Sequence, residues 1–138
     1  MKNKMKKCKA ILVFFLVMTV FVSCESEEEQ PLTIQDKVEL LEENQWLLKG
    51  FEDAVMYTFS NGERFTHYAV DGAFTEDAIP GTVEYTITGD LLTMDFHFGN
   101  VNTYEVVFSC NNSIVDFYTD GVLQHTLYER GSDYLSCI

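Results

Sequence analysis

Residues 55–70 read VMYTFSNGERFTHYAV, and this stretch decides the fold class. Val55, Tyr57 and Phe59 recur at every second position, which is typical of a β-strand with one buried face. Asn61-Gly62 follows, a pair preferred in type I′ turns because both central residues need a positive φ. The residues beyond the turn resume an extended pattern. The stretch therefore predicts a β-hairpin with a two-residue turn.

The same alternation recurs from Trp46 to Glu129 and predicts eight strands. They cover residues 46–52, 55–60, 63–70, 81–88, 91–98, 103–109, 114–118 and 122–129. Sequential strands joined by short turns form an antiparallel meander, and closing it into a barrel removes both exposed edges. We therefore predict an all-β fold, an eight-stranded antiparallel up-and-down barrel, with an open sandwich as the alternative.

A helix is predicted just before the first strand. Ile34, Val38 and Leu41 have the i, i+4, i+7 spacing of one helical face. Thr33 is a candidate N-cap, with Asp36 three residues later. We expect a short amphipathic helix that lies over the barrel or closes one end of it.

The N-terminus has the pattern of a secretory signal. Five lysines precede an apolar run at residues 10–22, which is shorter than the about 20 residues of a membrane-spanning helix. Residues 21–24, Phe-Val-Ser-Cys, resemble the lipobox of bacterial lipoproteins. That resemblance implies cleavage before Cys24, lipid such as palmitate on this cysteine, and anchoring to the outer membrane of a Gram-negative bacterium. The alternative is an ordinary cleaved signal.

Three segments follow from this pattern. They are a signal peptide at residues 1–23, an acidic flexible tether at 24–31 and a barrel domain at 32–138. The tether resembles the acidic tag of surface-exposed lipoproteins, and a plain solvated linker is the alternative. All 22 acidic residues but only four of the nine basic residues lie beyond residue 23, so the expected mature charge is −18. Such a charge excludes nucleic acid as a partner.

Two cysteines remain in the predicted mature chain besides Cys24. Cys110 and Cys137 can form a disulfide in an oxidising compartment. The alternative is that Cys137, the next-to-last residue, stays unpaired.

Trp46 on the first strand, Arg130 after the last, and the hairpins at 57–62 and 85–92 resemble the lipocalin-like lipoproteins, relatives in architecture of the calycin barrels. The resemblance covers most of residues 40–130. It implies a lipocalin-like barrel whose base is closed by a cation–π contact between Trp46 and Arg130.

Motifs for catalysis or metal binding are absent from the sequence. His67, His97 and His125 lack compact ligand spacing, and no serine or cysteine lies in a nucleophile elbow. The acidic residues of the loop at 71–80 lack the spacing of a calcium loop. We therefore expect no enzyme activity, no metal and no cofactor.

Aromatic residues dominate the predicted interior. Alternation places nine of them inward, namely Tyr57, Phe59, Phe65, Tyr85, Phe96, Phe98, Tyr104, Phe108 and Phe117. They either fill the barrel or line a slot for a flat apolar ligand. The candidate cavity residues are Tyr57, Tyr85, Phe96, Tyr104 and Phe108, with His67 or His125 orienting the ligand.

These features predict a non-catalytic, lipid-anchored binding module of the cell envelope for a small apolar ligand. The first alternative is a protein-interaction or enzyme-inhibitor module that presents the loop at 71–80 to a basic protein partner. The second is a structural subunit of a surface complex.

Overall fold

The computed structural model describes residues 30–138. The predicted signal peptide, Cys24 and all but the last two residues of the predicted tether lie outside this range. Their assignments therefore stay predictions. Among residues 30–138, no helix has the length and apolar character that a membrane crossing requires.

The chain forms one α-helix and nine β-strands within the described range. The helix is α1 (Ile34–Glu43), and the strands are β1 (Gln45–Leu48), β2 (Val55–Ser60), β3 (Glu63–Val70), β4 (Ala73–Phe74), β5 (Val83–Thr88), β6 (Leu91–Asp95), β7 (Val101–Ser109), β8 (Ile114–Thr119) and β9 (Val122–Glu129). A 3-10 helix (Tyr134–Cys137) follows.

Eight of the strands close into an antiparallel barrel. Each pairs with its neighbour in the chain, β3 passes over β4 to pair with β5, and β9 returns to pair with β1. The predicted eight-stranded up-and-down barrel is therefore confirmed, and the open sandwich is wrong. All eight predicted strands exist, and β4 is an additional short strand that pairs with the end of β3.

The turn after β6 differs most from the predicted pattern. The strand ends at Asp95 and not at Phe98, because His97 and Phe98 have positive φ angles of 68° and 57°. Two successive residues in the left-handed region reverse the chain and break the alternation. The next strand then begins at Val101, before its predicted start at residue 103, and so includes Asn102.

The N-terminal helix begins at the predicted cap. Asp36 N donates to Thr33 Oγ1 and Thr33 N donates to Asp36 Oδ2, the two bonds of a capping box. The hydrogen bonds from the Thr33 side chain and backbone lower the pKa of Asp36 below its usual value. Ile34 and Leu41 are buried in the barrel core, so the predicted apolar face is confirmed.

The barrel has two different ends. We call the end that α1 covers the closed end; it carries the turns β2–β3, β5–β6 and β7–β8. Trp46 Nε1 donates to Leu41 O there, and the Tyr85 hydroxyl donates to Glu42 Oε1. We call the opposite end, with the connections β1–β2, β3–β5, β6–β7 and β8–β9, the open end.

A disulfide holds the C-terminus to the closed end. Cys110, in the turn between β7 and β8, is bonded to Cys137, with the Cα atoms 6.0 Å apart. Tyr134, in the intervening 3-10 helix, stacks on Tyr128 of β9 with ring centroids 4.3 Å apart. Pairing of the two cysteines, one of the two alternatives, is what the structure shows.

Candidate functional site

A cavity of about 350 Å³ occupies the part of the barrel nearer the open end. Five of the eight barrel strands and the turn after β6 supply its walls. The lining residues are Leu48, Tyr57, Arg64, Phe96, Tyr104, Gln124 and His125. Gln124 is exposed at this site, so the cavity communicates with solvent. The interior is therefore packed toward the closed end, and a pocket that opens to solvent lies toward the open end.

Arg64 is inside the barrel because of the hairpin that decides the fold. Asn61 and Gly62 have φ angles of 52° and 80°, as the predicted turn requires. This two-residue turn pairs Phe59 with Arg64, and residues directly opposite in an antiparallel pair share a face. Since Phe59 belongs to the core, Arg64 also faces inward.

The Arg64 guanidinium is surrounded by aromatic rings. The residue is only 9% exposed, and its Cζ atom lies 4.2 Å from the Tyr57 ring centroid and 5.3 Å from that of Phe96. Burial lowers the pKa of Arg64, against the smaller opposing influence of the Tyr57 and Tyr104 hydroxyls. An arginine nevertheless remains charged in proteins, so the cavity contains a fixed cation.

His125 lies beside this cation. Its ring stacks on Phe117 at 4.4 Å between centroids and meets the edge of the Tyr104 ring at 5.3 Å. Burial, and secondly the charge of Arg64, lower the pKa of His125 to about 4. The imidazole is therefore neutral at pH 7.

Three of the five predicted cavity residues line the cavity. They are Tyr57, Phe96 and Tyr104, and His125, one of the two predicted orienting histidines, joins them. The other two predictions are wrong. Tyr85 reaches the helix at the closed end, where burial and the bond to Glu42 raise the pKa of its hydroxyl, and Phe108 packs against Trp46 with centroids 5.8 Å apart.

Two further residues that were predicted to face the barrel interior do not face it, for different reasons. Phe65 pairs with Thr58 on the outer face, because the same register that brings Arg64 inward turns its neighbour outward. Phe98 is fully exposed, because the left-handed backbone at this turn ends the strand before it.

His67 lies on the outer face of the barrel and not in the cavity. It pairs with Met56, its Nε2 lies 3.1 Å from Thr58 Oγ1, and its Nδ1 lies 3.0 Å from Thr75 O. The loop predicted as a presenting element therefore folds back on the barrel wall. Its short strand β4 pairs with the end of β3, and Ile79 N donates to Thr66 O.

The predicted contact between Trp46 and Arg130 is also wrong. The Arg130 Cζ atom lies 5.3 Å from the Phe74 ring centroid, and Nη1 donates to Gln45 Oε1 at 2.8 Å. Arg130 follows β9 on the outer surface, whereas Trp46 is fully buried inside the barrel. Glu129 pairs with Trp46 and therefore shares its face of the sheet. Because successive residues of a strand point to opposite faces, Arg130 points away from Trp46.

One cluster outside the cavity could offer ligands to a cation. Glu84, Asp95 and His97 place a carboxylate or imidazole atom within 4.8 Å of one another. His97 Nε2 lies 2.7 Å from Thr82 O, and Asp95 Oδ1 accepts from the His97 amide at 2.7 Å. Two of the three residues are exposed and these hydrogen bonds account for the cluster, so we assign no metal to it.

The cavity therefore combines flat apolar walls with one cation and one neutral imidazole. Such a set suits the binding of a small molecule, because the rings supply contact area and the polar groups supply orientation. Sequence reasoning missed Arg64 as a cavity residue. Comparison of the chain with protein-family models, with curated proteins and with solved structures found no match.

Proposed function

We propose that the protein is a non-catalytic binding module, anchored to the cell envelope through lipid on Cys24, that captures a small, largely apolar ligand at the open end of its barrel. The observation that supports this proposal is the cavity of about 350 Å³ with aromatic walls. Ligand sites are concave and begin at about 300 Å³. The location rests on the lipobox resemblance of residues 21–24.

The division of the barrel into two ends supports a binding role. The core residues nearer the closed end are almost inaccessible, so they have no surface to offer a ligand. Tyr57, Phe96 and Tyr104 instead line the cavity. Aromatic rings contribute large contact areas and prefer stacked or edge-to-face partners, which favours a ligand with a flat apolar part.

Native mass spectrometry tests the proposal directly. The domain of residues 31–138, which forms a compact unit of its own, is produced in a bacterial periplasm and measured intact. We expect an added mass that disappears on denaturation. The apo protein should also bind the neutral fluorophore N-phenyl-1-naphthylamine, with emission that rises as the probe enters an apolar site.

Two variants decide whether the cavity is the site that binds the probe. Phe96→Ala removes a cavity wall and should weaken probe binding about tenfold. Tyr85→Phe alters the closed end and should leave probe binding unchanged. Equal affinities of Phe96→Ala and the unaltered domain, or no binding by either, would contradict the proposal.

Exposed aromatic residues favour protein interaction as a second candidate. Phe51 is 59% exposed and Phe98 is fully exposed, both in connections at the open end. Aromatic residues are enriched at protein interfaces, and an acidic surface steers basic partners toward it. Binding of a basic lysozyme-type enzyme that weakens from 50 to 500 mM salt, and further with Phe98→Ser, is expected for this role. Absence of such binding at low salt would exclude this partner class.

A further inference from the structure

We propose that the ligand of the cavity carries one carboxylate, which pairs with the Arg64 guanidinium inside the barrel and accepts a second hydrogen bond from His125. This inference rests on the proposed binding function and names the chemical class of the ligand. The apolar remainder of the molecule lies against the aromatic walls nearer the open end.

Two unpaired polar atoms mark the position of the anion. Among the buried side-chain nitrogen and oxygen atoms of residues 30–138, only Arg64 Nε and His125 Nε2 lack a hydrogen-bond partner. Buried polar groups in folded proteins are almost always paired. Both atoms belong to residues that line the same cavity, and we infer that a ligand acceptor in this cavity is the partner that both lack.

The charge of Arg64 points to an anion and not to a neutral acceptor. Apart from burial, the groups that influence its pKa are the hydroxyls of Tyr57 and Tyr104, neither of which is a carboxylate. An aromatic face attracts a cation but leaves the N–H donors of the guanidinium free. A planar carboxylate matches these donors in a bidentate pair.

The surroundings favour a single negative charge. The predicted mature chain has only four basic residues against 22 acidic ones, and one of the four lies in the cavity. A dianionic phosphate would leave one charge unmatched among aromatic rings, where burying a charge is costly. The acidic exterior also repels multiply charged anions more strongly than monoanions.

Binding of a carboxylate should be coupled to protonation of His125. Arg64, Tyr57 and Tyr104 are the charged or titratable groups that line the cavity with it, and Phe117 covers its ring. Arg64 disfavours protonation of the imidazole, and a bound carboxylate counteracts that effect. We therefore expect net proton uptake when the ligand binds near pH 5.

Paired ligands of equal shape test the charge requirement. The probes are 3-phenylpropionate, indole-3-acetate and decanoate, each measured by calorimetry against its own primary amide, with the domain of residues 31–138. At least one carboxylate should bind about tenfold to a hundredfold more tightly than its amide. Equal affinity within every pair would overturn the inference.

Two variants assign the preference to a residue. Arg64→Met should abolish the preference for the carboxylate, whereas Arg130→Met removes an equal charge from the outer surface and should preserve it. A preference that survives Arg64→Met would overturn the inference. If Arg64→Met does not fold, the comparison of paired ligands on the unaltered domain still decides the question. Repeating the titration at pH 5 in buffers of different ionisation enthalpy measures proton uptake.

The neutral probe separates the two proposals. Binding of N-phenyl-1-naphthylamine without any preference for carboxylates would retain the binding function and reject the carboxylate. Failure of the neutral probe and of all three ligand pairs would reject both.

Discussion

The closed and open ends of the barrel are built from the same strands but differ in whether their buried polar groups have hydrogen-bond partners. At the closed end, Trp46 and Tyr85 lie among apolar side chains and each donates a hydrogen bond to the covering helix. In the cavity nearer the open end, the side chains of Arg64 and His125 lie among aromatic rings, and each has a buried nitrogen without a partner among residues 30–138. The first arrangement stabilises the fold, and the second has a cost that a ligand can offset.

This contrast shows that the stabilising contacts of the barrel are unevenly distributed between its two ends. The disulfide and the capped helix both belong to the closed end. Stability concentrated there allows the other end to retain a cavity and an unpaired cation, both of which lower stability. Buried polar groups without partners, which a well-packed core avoids, are expected at functional sites.

Equivalent leucine truncations at the two ends should differ most. Leu92 is fully buried, whereas Leu48 lines the cavity. Leu92→Ala creates a new void and should lower the free energy of unfolding by about 3 kcal/mol. Leu48→Ala enlarges a space that already communicates with solvent and should cost about 1 kcal/mol. Urea denaturation of both variants measures the difference, and equal losses would remove the distinction between the ends.

Loss of the disulfide should have the next largest effect. Cys110 and Cys137 are 27 residues apart, and closing a loop of that size stabilises by about 3 kcal/mol in the chain-entropy model. The double variant Cys110→Ser/Cys137→Ser should therefore show a lower midpoint of thermal unfolding. Ligand affinity should not change, because the disulfide lies at the closed end. A loss of affinity in a folded double variant would show that the two ends are coupled.

Much of the fold followed from local patterns. Period-two alternation located all eight barrel strands, and Thr33 with Asp36 marked the start of the helix. These features depend on residues close in sequence, which a pattern captures. The strand limits around His97 and the contacts of Arg130 depend on backbone reversal and on packing across the barrel, which alternation does not encode.

Arg64 could have been found from the sequence. A two-residue turn at Asn61-Gly62 pairs residue 59 with residue 64 and residue 58 with residue 65. Phe59 and Phe65 cannot then both face inward, because residues that share a face sit opposite each other. The aromatic character of Phe65 favoured an inward position for it, whereas the turn geometry favours an inward Arg64. In the structure Arg64 is the residue that faces inward. Arg64 was missed because a charged residue does not fit the hydrophobic alternation by which inward positions were identified.

Replacing Arg64 should stabilise the protein in the absence of ligand. Arg64→Met removes a buried cation that has no carboxylate partner within residues 30–138 while retaining apolar volume, and a gain of about 1–2 kcal/mol is expected. The lost cation–π contact with Tyr57 reduces this gain. Arg130→Met is the matched control on the outer surface and should change the free energy of unfolding by no more than about 0.5 kcal/mol. A marked destabilisation by Arg64→Met would mean that the cation is part of the structural core.

Acid should lower the free energy of unfolding through His125, by less than Leu92→Ala or loss of the disulfide does. The pKa of its imidazole is about 4 in the folded protein, below the value near 6.5 of an unfolded chain. The unfolded state therefore takes up the proton first, and stability falls as pH drops from about 6.5 toward about 4. Allowing for partial solvent access, the loss from pH 7 to pH 5 should be about 1 kcal/mol.

His125→Phe isolates this contribution, because it retains an aromatic ring against Phe117 and removes the titrating group. Acidic residues elsewhere titrate equally in both proteins, so the difference between their urea-denaturation curves at pH 7 and pH 5 reports His125 alone. The variant should lose about 1 kcal/mol less than the unaltered domain over this interval. Identical losses would indicate an imidazole that titrates near its ordinary pKa, in open contact with water. A carboxylate ligand should reduce the acid loss of the unaltered domain more than that of His125→Phe, since the ligand's own protonation is common to both and only the histidine can share a proton with it.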